Sequence, residues 1–171
     1  MKILKTERTI LREVIETDVE FILDLLNQPL FIKNIGDRQV RTIEEARDYI
    51  ESRFTESYKN FGFGMWAVER KEVGELIGVC GFVKRDGLPD ADIGFAFLPE
   101  YEKKGFGFES ASAAMRYAKE TLKLPRVLAI TSQDNASSQR LLEKLGLNFE
   151  RLISLSDDSE ELKLFSVDFS K

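Results

Sequence analysis

One strand-to-helix passage limits the fold of this chain more than any other segment. The apolar run Ala91–Leu98 is ended by Pro99, and Tyr101-Glu102-Lys103-Lys104-Gly105-Phe106-Gly107-Phe108-Glu109-Ser110 follows, leading at once into Ala-rich, helix-forming sequence. A helix N-terminus offers backbone N–H groups without intrahelical partners and the positive end of the helix dipole. That combination holds anions. Gly105 and Gly107 remove the side chains that would keep a phosphate away from the backbone. The segment reads as a loop that cradles a pyrophosphate-containing cofactor; an ordinary surface turn is the alternative that the glycines alone leave open.

The rest of the chain supplies the sheet and helices around that passage. Leu11 to Val14 reads as a strand, and Thr17-Asp18-Val19-Glu20 has capping-box spacing before apolar residues at helical intervals, Val19, Ile22, Leu23 and Leu26. Residues 30–41 read as a connection. Thr42-Ile43-Glu44-Glu45 is a second capping box, opening a helix to about residue 59. Strands are expected from Phe63 to Glu69, Glu75 to Val83 and Ala91 to Leu98, with turns at Lys71–Gly74 and Arg85–Asp90. A helix from Phe108 to about Leu122 presents Ala111, Ala114, Met115 and Ala118 inward. A strand Val127–Thr131, a helix from Asn135 to Leu145 stopped by Gly146, and a hairpin of 147–154 with 161–169 complete the order β-α-α-β-β-β-α-β-α-β-β. This is an α/β (α+β) chain with a mixed, largely antiparallel sheet and about four helices. No repeat or linker divides it, so residues 1–171 are read as one domain.

Composition excludes several function classes. There is no histidine and one cysteine, Cys80, so neither a Ser-His-Asp nor a Cys-His arrangement exists and a zinc site is not expected. Proton transfer is left to carboxylates, Tyr, Ser, Lys, Cys or water. A net charge of −5 argues against a nucleic-acid partner. No run approaches the ~18 apolar residues of a membrane span, and the N-terminal residues lack a signal-peptide core, so a cytoplasmic location is expected. Monomer and homodimer both stay open.

Two known phosphate-binding patterns do not fit the glycine loop. A P-loop would need Gly-Lys-Ser/Thr at its end. A dinucleotide fingerprint would need a third glycine where Ser110 stands, and a turn shorter than Pro99–Lys104. A second cluster lies beyond the next strand: Asp134-Asn135-Ala136-Ser137-Ser138-Gln139-Arg140-Leu141-Leu142-Glu143-Lys144-Leu145-Gly146. Taken alone, Asn135 is a helix N-cap and Ser138 its third residue.

Taken together and in order, these segments resemble the GNAT acetyltransferase superfamily, and within it the branch of ribosomal-protein N-terminal acetyltransferases. Arg8-Thr9-Ile10-Leu11-Arg12 before an acidic capped helix is similar to that branch's opening. Asp92-Ile93-Gly94-Phe95 resembles its acidic-Ile-Gly-aromatic strand, Tyr101 to Gly107 its acyl-CoA loop, and Asn135 with Ser138 its second motif. The resemblance implies acetyl transfer from acetyl-CoA to a primary amine, a protein N-terminal α-amine or a small-molecule amine, by direct attack in a ternary complex. It implies a sheet splayed beside Phe97 and Leu98, with pantetheine in the gap. The pyrophosphate would lie on the backbone of Lys103, Lys104, Gly105, Phe106, Gly107 and Phe108, with Asn135 and Ser138 completing the cofactor site and no metal. Glu102 departs from the Gln, Arg or Trp usual there, and Lys103 and Lys104 offset its charge. A non-catalytic acyl-CoA-binding or regulatory module of the same fold is the alternative reading.

The chemistry then turns on proton movement. A free α-amine with a pKa of about 8 is roughly one-tenth neutral at pH 7, a penalty of about 1.4 kcal/mol, whereas a lysine amine faces about 4.6 kcal/mol. An α-amine therefore needs only a weak base. Asp92, acting through water, is the candidate base, and pairing with a neighbouring strand is its plain structural role. Backbone N–H near Leu98 is the candidate oxyanion donor. The departing thiolate needs a proton or a hydrogen bond; the position where many members of the resembled superfamily carry a Tyr holds Leu142, and by analogy with the branch this chain resembles, Ser138 is the next candidate. Cys80, in an apolar strand, reads as core and not as an acyl carrier. Acceptor selection is expected from the 28–41 connection and from the acidic turn with Asp157, Asp158, Glu160 and Glu161.

Overall fold

The computed structural model describes residues 2–157 and 159–170. Eight strands form one sheet: β1 (Lys2–Lys5), β2 (Thr9–Glu13), β3 (Met65–Arg70), β4 (Leu76–Val83), β5 (Asp92–Phe97), β6 (Arg126–Ser132), β7 (Asn148–Ile153) and β8 (Leu162–Asp168), in spatial order β1-β2-β3-β4-β5-β6-β8-β7. Every neighbouring pair is antiparallel except β5 and β6, which are parallel. The helices are α1 (Val19–Leu26), α2 (Pro29–Asn34), α3 (Ile43–Tyr49), α4 (Glu56–Phe61), α5 (Phe106–Glu120) and α6 (Ala136–Lys144). Residues 50–55 carry α3 into α4 through a π-helical stretch, so 43–61 is one helical body.

Each face of the sheet has its own core. Across β1, β2, β4 and β5 lies α5, whose Ala111, Ala114 and Ala118 are fully buried against a cluster that includes Trp66, Phe82, Ile93 and Ile77. Small residues on that stripe let the helix backbone approach the strands closely. On the other face α1 and α3 pack together, with Ile22, Leu25, Ala46, Ile50 and Phe54 meeting Ala67 and Val79 from the sheet. Gly81 marks the tightest backbone approach. A Cβ there would stand 2.1 Å from the Gly64 carbonyl oxygen, so no other residue fits without moving the β3 entry.

Helix starts differ from the expected caps in an informative way. The Thr42 hydroxyl does accept the Glu45 N–H (3.1 Å), while the Glu45 carboxylate reaches the Arg41 N–H and not its own box partner. Before α1, a 3₁₀ turn at Glu16–Asp18 takes the place of a Thr17 cap, and Asp18 accepts the Ile15 N–H at 2.9 Å. Asp18 is held there because Arg12 grips both its oxygens, at 2.8 and 2.9 Å, and also reaches Glu69 at 3.1 Å. Two further elements were not expected. β1 is a strand at the sheet edge, and α2 forms within the 30–41 connection, begun by Pro29 at a position where the missing N–H does no harm. Helix α5 begins two residues before the expected Phe108, at Phe106.

The decisive feature is where pairing stops. β4 and β5 are in register over six residue pairs and β6 and β8 over seven, but β5 and β6 share one, Asp92↔Leu128. The Leu128 N–H donates to the Ala91 carbonyl (3.0 Å), and beyond it the two strands diverge. The sheet is splayed toward Phe97 on one bank and Ser132 on the other.

Arg12 joins β2, β3 and the first turn before α1 through partly and fully buried carboxylates. Removing it strands the Asp18 charge, so Arg12→Ala is expected to lower stability by about 3 kcal/mol. For a chain of this size that is a fall of roughly 6–12 °C in Tm, measured by thermal unfolding.

Candidate functional site

The open end of the splay is built from the passage that opens the sequence. After Phe97, a 3₁₀ turn at Pro99–Tyr101 reverses the chain, and Lys103 (φ 59°) and Gly105 (φ 84°) both adopt left-handed backbone conformations. Residues alternating in this way turn successive N–H groups toward a common side, the backbone nest that receives anions. The first N–H of α5 with an intrahelical partner is that of Glu109, which donates to the Gly105 carbonyl at 3.0 Å. Among the described residues, the six N–H groups from Lys103 through Phe108 have no partner. Six N–H groups without partners at a helix start, with two exposed lysines beside them, suit an anion such as a pyrophosphate. Glu102 lies next to them. Partial burial pushes its carboxyl up, opposed by Lys103, which lessens the charge it sets against an anion.

Packing places this cradle beside the splay. Phe106 is buried, with Tyr101 edge-on at 6.1 Å and the Arg8 guanidinium over its ring at 4.1 Å. A Cβ on Gly107 would stand 3.4 Å from Leu141 of α6 and 3.7 Å from the Phe97 ring. A residue larger than alanine at 107 would therefore fill the space between the α5 start, the middle of α6 and the strand. Ser138 lies three residues before Leu141, on the same side of α6. Its backbone N–H is held by the Asn135 side-chain oxygen at 3.2 Å, so Asn135 is the helix cap and α6 is aimed by it. Phe97, Gly107, Phe108, Asn135 and Ser138 are thus brought to one end of the sheet.

Two expected residues are placed otherwise or limited in what they can do, and two more are confined to the core. Leu98 uses its N–H on the Ile77 carbonyl of β4 (2.9 Å). Strand alternation then turns the N–H groups of Phe95 and Phe97 into the splay, so the gap-side donor beside Leu98 is Phe97. Asp92 is at the closed end, about 17 Å from Phe97 along the strand. It is 1% exposed, and both its oxygens bind Arg85, at 2.9 and 3.2 Å. Burial pushes the Asp92 carboxyl up and Arg85 opposes that shift. Accepting a proton there would break a bidentate pair. Leu142 is buried in the core, and Cys80 is fully buried with its thiol pushed up to about 12, which leaves no thiolate for acyl transfer.

Other site features were not anticipated. Thr131 and Ser132, at the open end of β6, carry buried hydroxyls with no partner among the described residues, facing opposite sides of the sheet. The signal was present in sequence as two hydroxyl residues closing an apolar strand just before Asn135. The turn between β7 and β8 stands at the same end, tied there by the Gln133 side chain donating to the Glu161 carbonyl (3.0 Å). Asp157, Glu160 and Glu161 are exposed on it; Asp158 lies outside the described residues. Among the described residues, no group of His, Cys, Asp or Glu is able to hold a metal ion and no helix is long and apolar enough to cross a membrane.

Residues 8–148 match the family described as acetyltransferase (GNAT) domain. The uncharacterized N-acetyltransferase YoaA of Bacillus subtilis is 32% identical over 88% of this chain and 85% of its own length. The [ribosomal protein uS5]-alanine N-acetyltransferase of Escherichia coli is 31% identical over 62% of this chain and 54% of its own. Among solved structures, the ribosomal L7/L12 α-N-protein acetyltransferase RimL, crystallised with coenzyme A, superposes with a TM-score of 0.84 over 98% of both chains at 18% identity, a likeness of fold. With its splayed sheet and its cradle of backbone donors, this chain belongs to the GNAT family of acetyl-CoA-dependent N-acyltransferases.

Proposed function

We propose that this protein moves the acetyl group of acetyl-CoA to a primary amine, by direct attack of the amine while both substrates are bound. The run of six unpartnered N–H groups beside the splay carries this reading. The acceptor class is a protein N-terminal α-amine or a small-molecule amine. The relative that acts on the alanine of ribosomal protein uS5, and the fold shared with RimL, favour the α-amine.

The residues divide the work by position. Lys103, Lys104, Gly105, Phe106, Gly107 and Phe108 hold the pyrophosphate through their backbone, and the side chains of Lys103 and Lys104 add charge. The splay beside Phe97 and Leu98 takes the pantetheine, with Asn135 and Ser138 on the opposite bank. Bound there, acetyl-CoA supplies an activated acyl group. The Phe97 N–H faces the gap where a developing oxyanion needs a donor. Ser138 donates a hydrogen bond to the departing sulfur, or passes it a proton that its hydroxyl recovers from solvent at the mouth. We assign deprotonation of the amine to solvent at the mouth, because Asp92 is committed to Arg85 at the far end. An α-amine makes this workable, since its neutral form costs about 1.4 kcal/mol at pH 7.

The acidic turn with Asp157, Glu160 and Glu161 flanks the mouth, and we assign it to attracting a cationic acceptor. A solvated acidic turn would have no such effect on catalysis.

Gly107→Glu places bulk and a like charge in the cradle, and is expected to weaken CoA binding at least about hundredfold by calorimetry; unchanged affinity would sink the loop assignment. Ser138→Ala should lower kcat by about tenfold or more while CoA affinity stays within about threefold, as a lost proton donor requires. Thiol release from acetyl-CoA, tested with N-terminal peptides and small amines, should be present in the unsubstituted protein. In the same assay, Asp157→Asn with Glu160→Gln should raise KM for cationic acceptors several-fold at low salt, and this difference should shrink near 0.5 M salt, where the Debye length is only about 4 Å.

A further inference from the structure

We propose that Arg8 is a positioning residue for the pyrophosphate loop, with Glu109 as its anchor, so that the turn between β1 and β2 sets how tightly the phosphate part of the donor is held. This rests on reading Lys103–Phe108 as the acyl-CoA cradle. The turn and the loop are about a hundred residues apart in sequence and are joined by a dense set of contacts. Glu109, in the first turn of α5, accepts the Arg8 backbone N–H at 2.8 Å, the Arg8 Nε–H at 2.7 Å and the Thr6 hydroxyl. Burial pushes the Glu109 carboxyl up, but the hydrogen bonds from Thr6 and Arg8 outweigh it and hold the group below its ordinary value.

The same guanidinium then reaches into the cradle. Its Nη1–H donates to the Lys104 carbonyl at 3.1 Å, and its plane lies over the Phe106 ring at 4.1 Å. The C=O and N–H of one trans peptide point in opposite directions. Anchoring the Lys104 carbonyl on Arg8 therefore turns the Gly105 N–H away from Arg8, free for a ligand. A β-carbon on Gly105 would come 3.2 Å from the Arg8 Nη2, so the guanidinium also sets how close the loop can lie. Arg8 thus acts through the loop and not on the phosphate.

A carboxylate and a guanidinium near an anion site admit an opposite explanation, in which Arg8 is simply a nearby cation and Glu109 a nearby like charge. The two explanations give opposite signs for Glu109→Gln. Simple electrostatics has the substitution tighten CoA binding, because a negative charge is lost. Positioning has it weaken CoA binding, because Arg8 loses the partner that orients it.

The test is calorimetric titration of the whole chain and of Glu109→Gln, Arg8→Met and Arg8→Lys, with CoA and with phosphate-free pantetheine, alongside thermal unfolding. Glu109→Gln and Arg8→Met should each weaken CoA about tenfold and leave pantetheine within about twofold. Arg8→Lys should fall between, because one ammonium cannot serve Glu109 and the Lys104 carbonyl in the fork geometry of a guanidinium. Tighter or unchanged CoA binding in Glu109→Gln overturns the proposal. So do parallel losses for both ligands, which would report general destabilisation, and Arg8→Lys matching the unsubstituted protein. If the unsubstituted protein binds no CoA, it is the cradle reading that fails, and this proposal with it.

Discussion

The structure depends on a strand pairing that is withheld. β5 is fully paired to β4, and β6 to β8, yet between β5 and β6 there is one register pair, Asp92↔Leu128. Backbone groups along the diverging edges would be a liability in an ordinary sheet, since unpaired N–H and C=O groups seek partners. Here they lie between two helix starts, where an extended polar ligand can satisfy them. The closed end must be firm for the open end to stay apart. The Arg85–Asp92 pair, buried next to the single strand contact, fits that need better than it fits proton transfer.

The helices on either side make the opening specific. Gly107 lets α5 start close to Leu141 and Phe97, and Asn135 caps the start of α6. The two faces of the sheet are stabilised separately, by α5 on one side and by α1 with α3 on the other, and Arg12 secures the second of these to the strands. The loop before α5 is therefore carried on packed elements with few degrees of freedom left, as the proposed use of its backbone donors requires.

What was legible in the sequence was local. The glycine loop, the Asn135 cap and the Ala stripe of α5 each carry their own physical signal, and their order brought out the GNAT resemblance. β1 was not legible because four residues of mixed polarity form a strand only by pairing with β2. α2 was not legible because its six residues lack a buried stripe. The commitments of Asp92 to Arg85 and of the Leu98 N–H to Ile77 depend on which way a strand faces, and alternation alone does not say which neighbour each edge meets. The contacts of Arg8 with Glu109 and Lys104 span about a hundred residues and leave no trace in local pattern.

The strand order has a consequence for synthesis. β8 lies inside the sheet, between β6 and β7, although it comes last of the eight in sequence. β6 is one bank of the splay, and its antiparallel partner is Leu162–Asp168. On a ribosome, the glycine loop and α5 can emerge and pack well before that partner exists, while β6 must wait with an exposed edge. One half of the site is available early and the other closes only when Asp168 has left the exit tunnel. Nascent chains halted between Ser132 and Leu162 would carry the proposed phosphate cradle without the bank that faces it, a state open to chaperones and to edge-to-edge association.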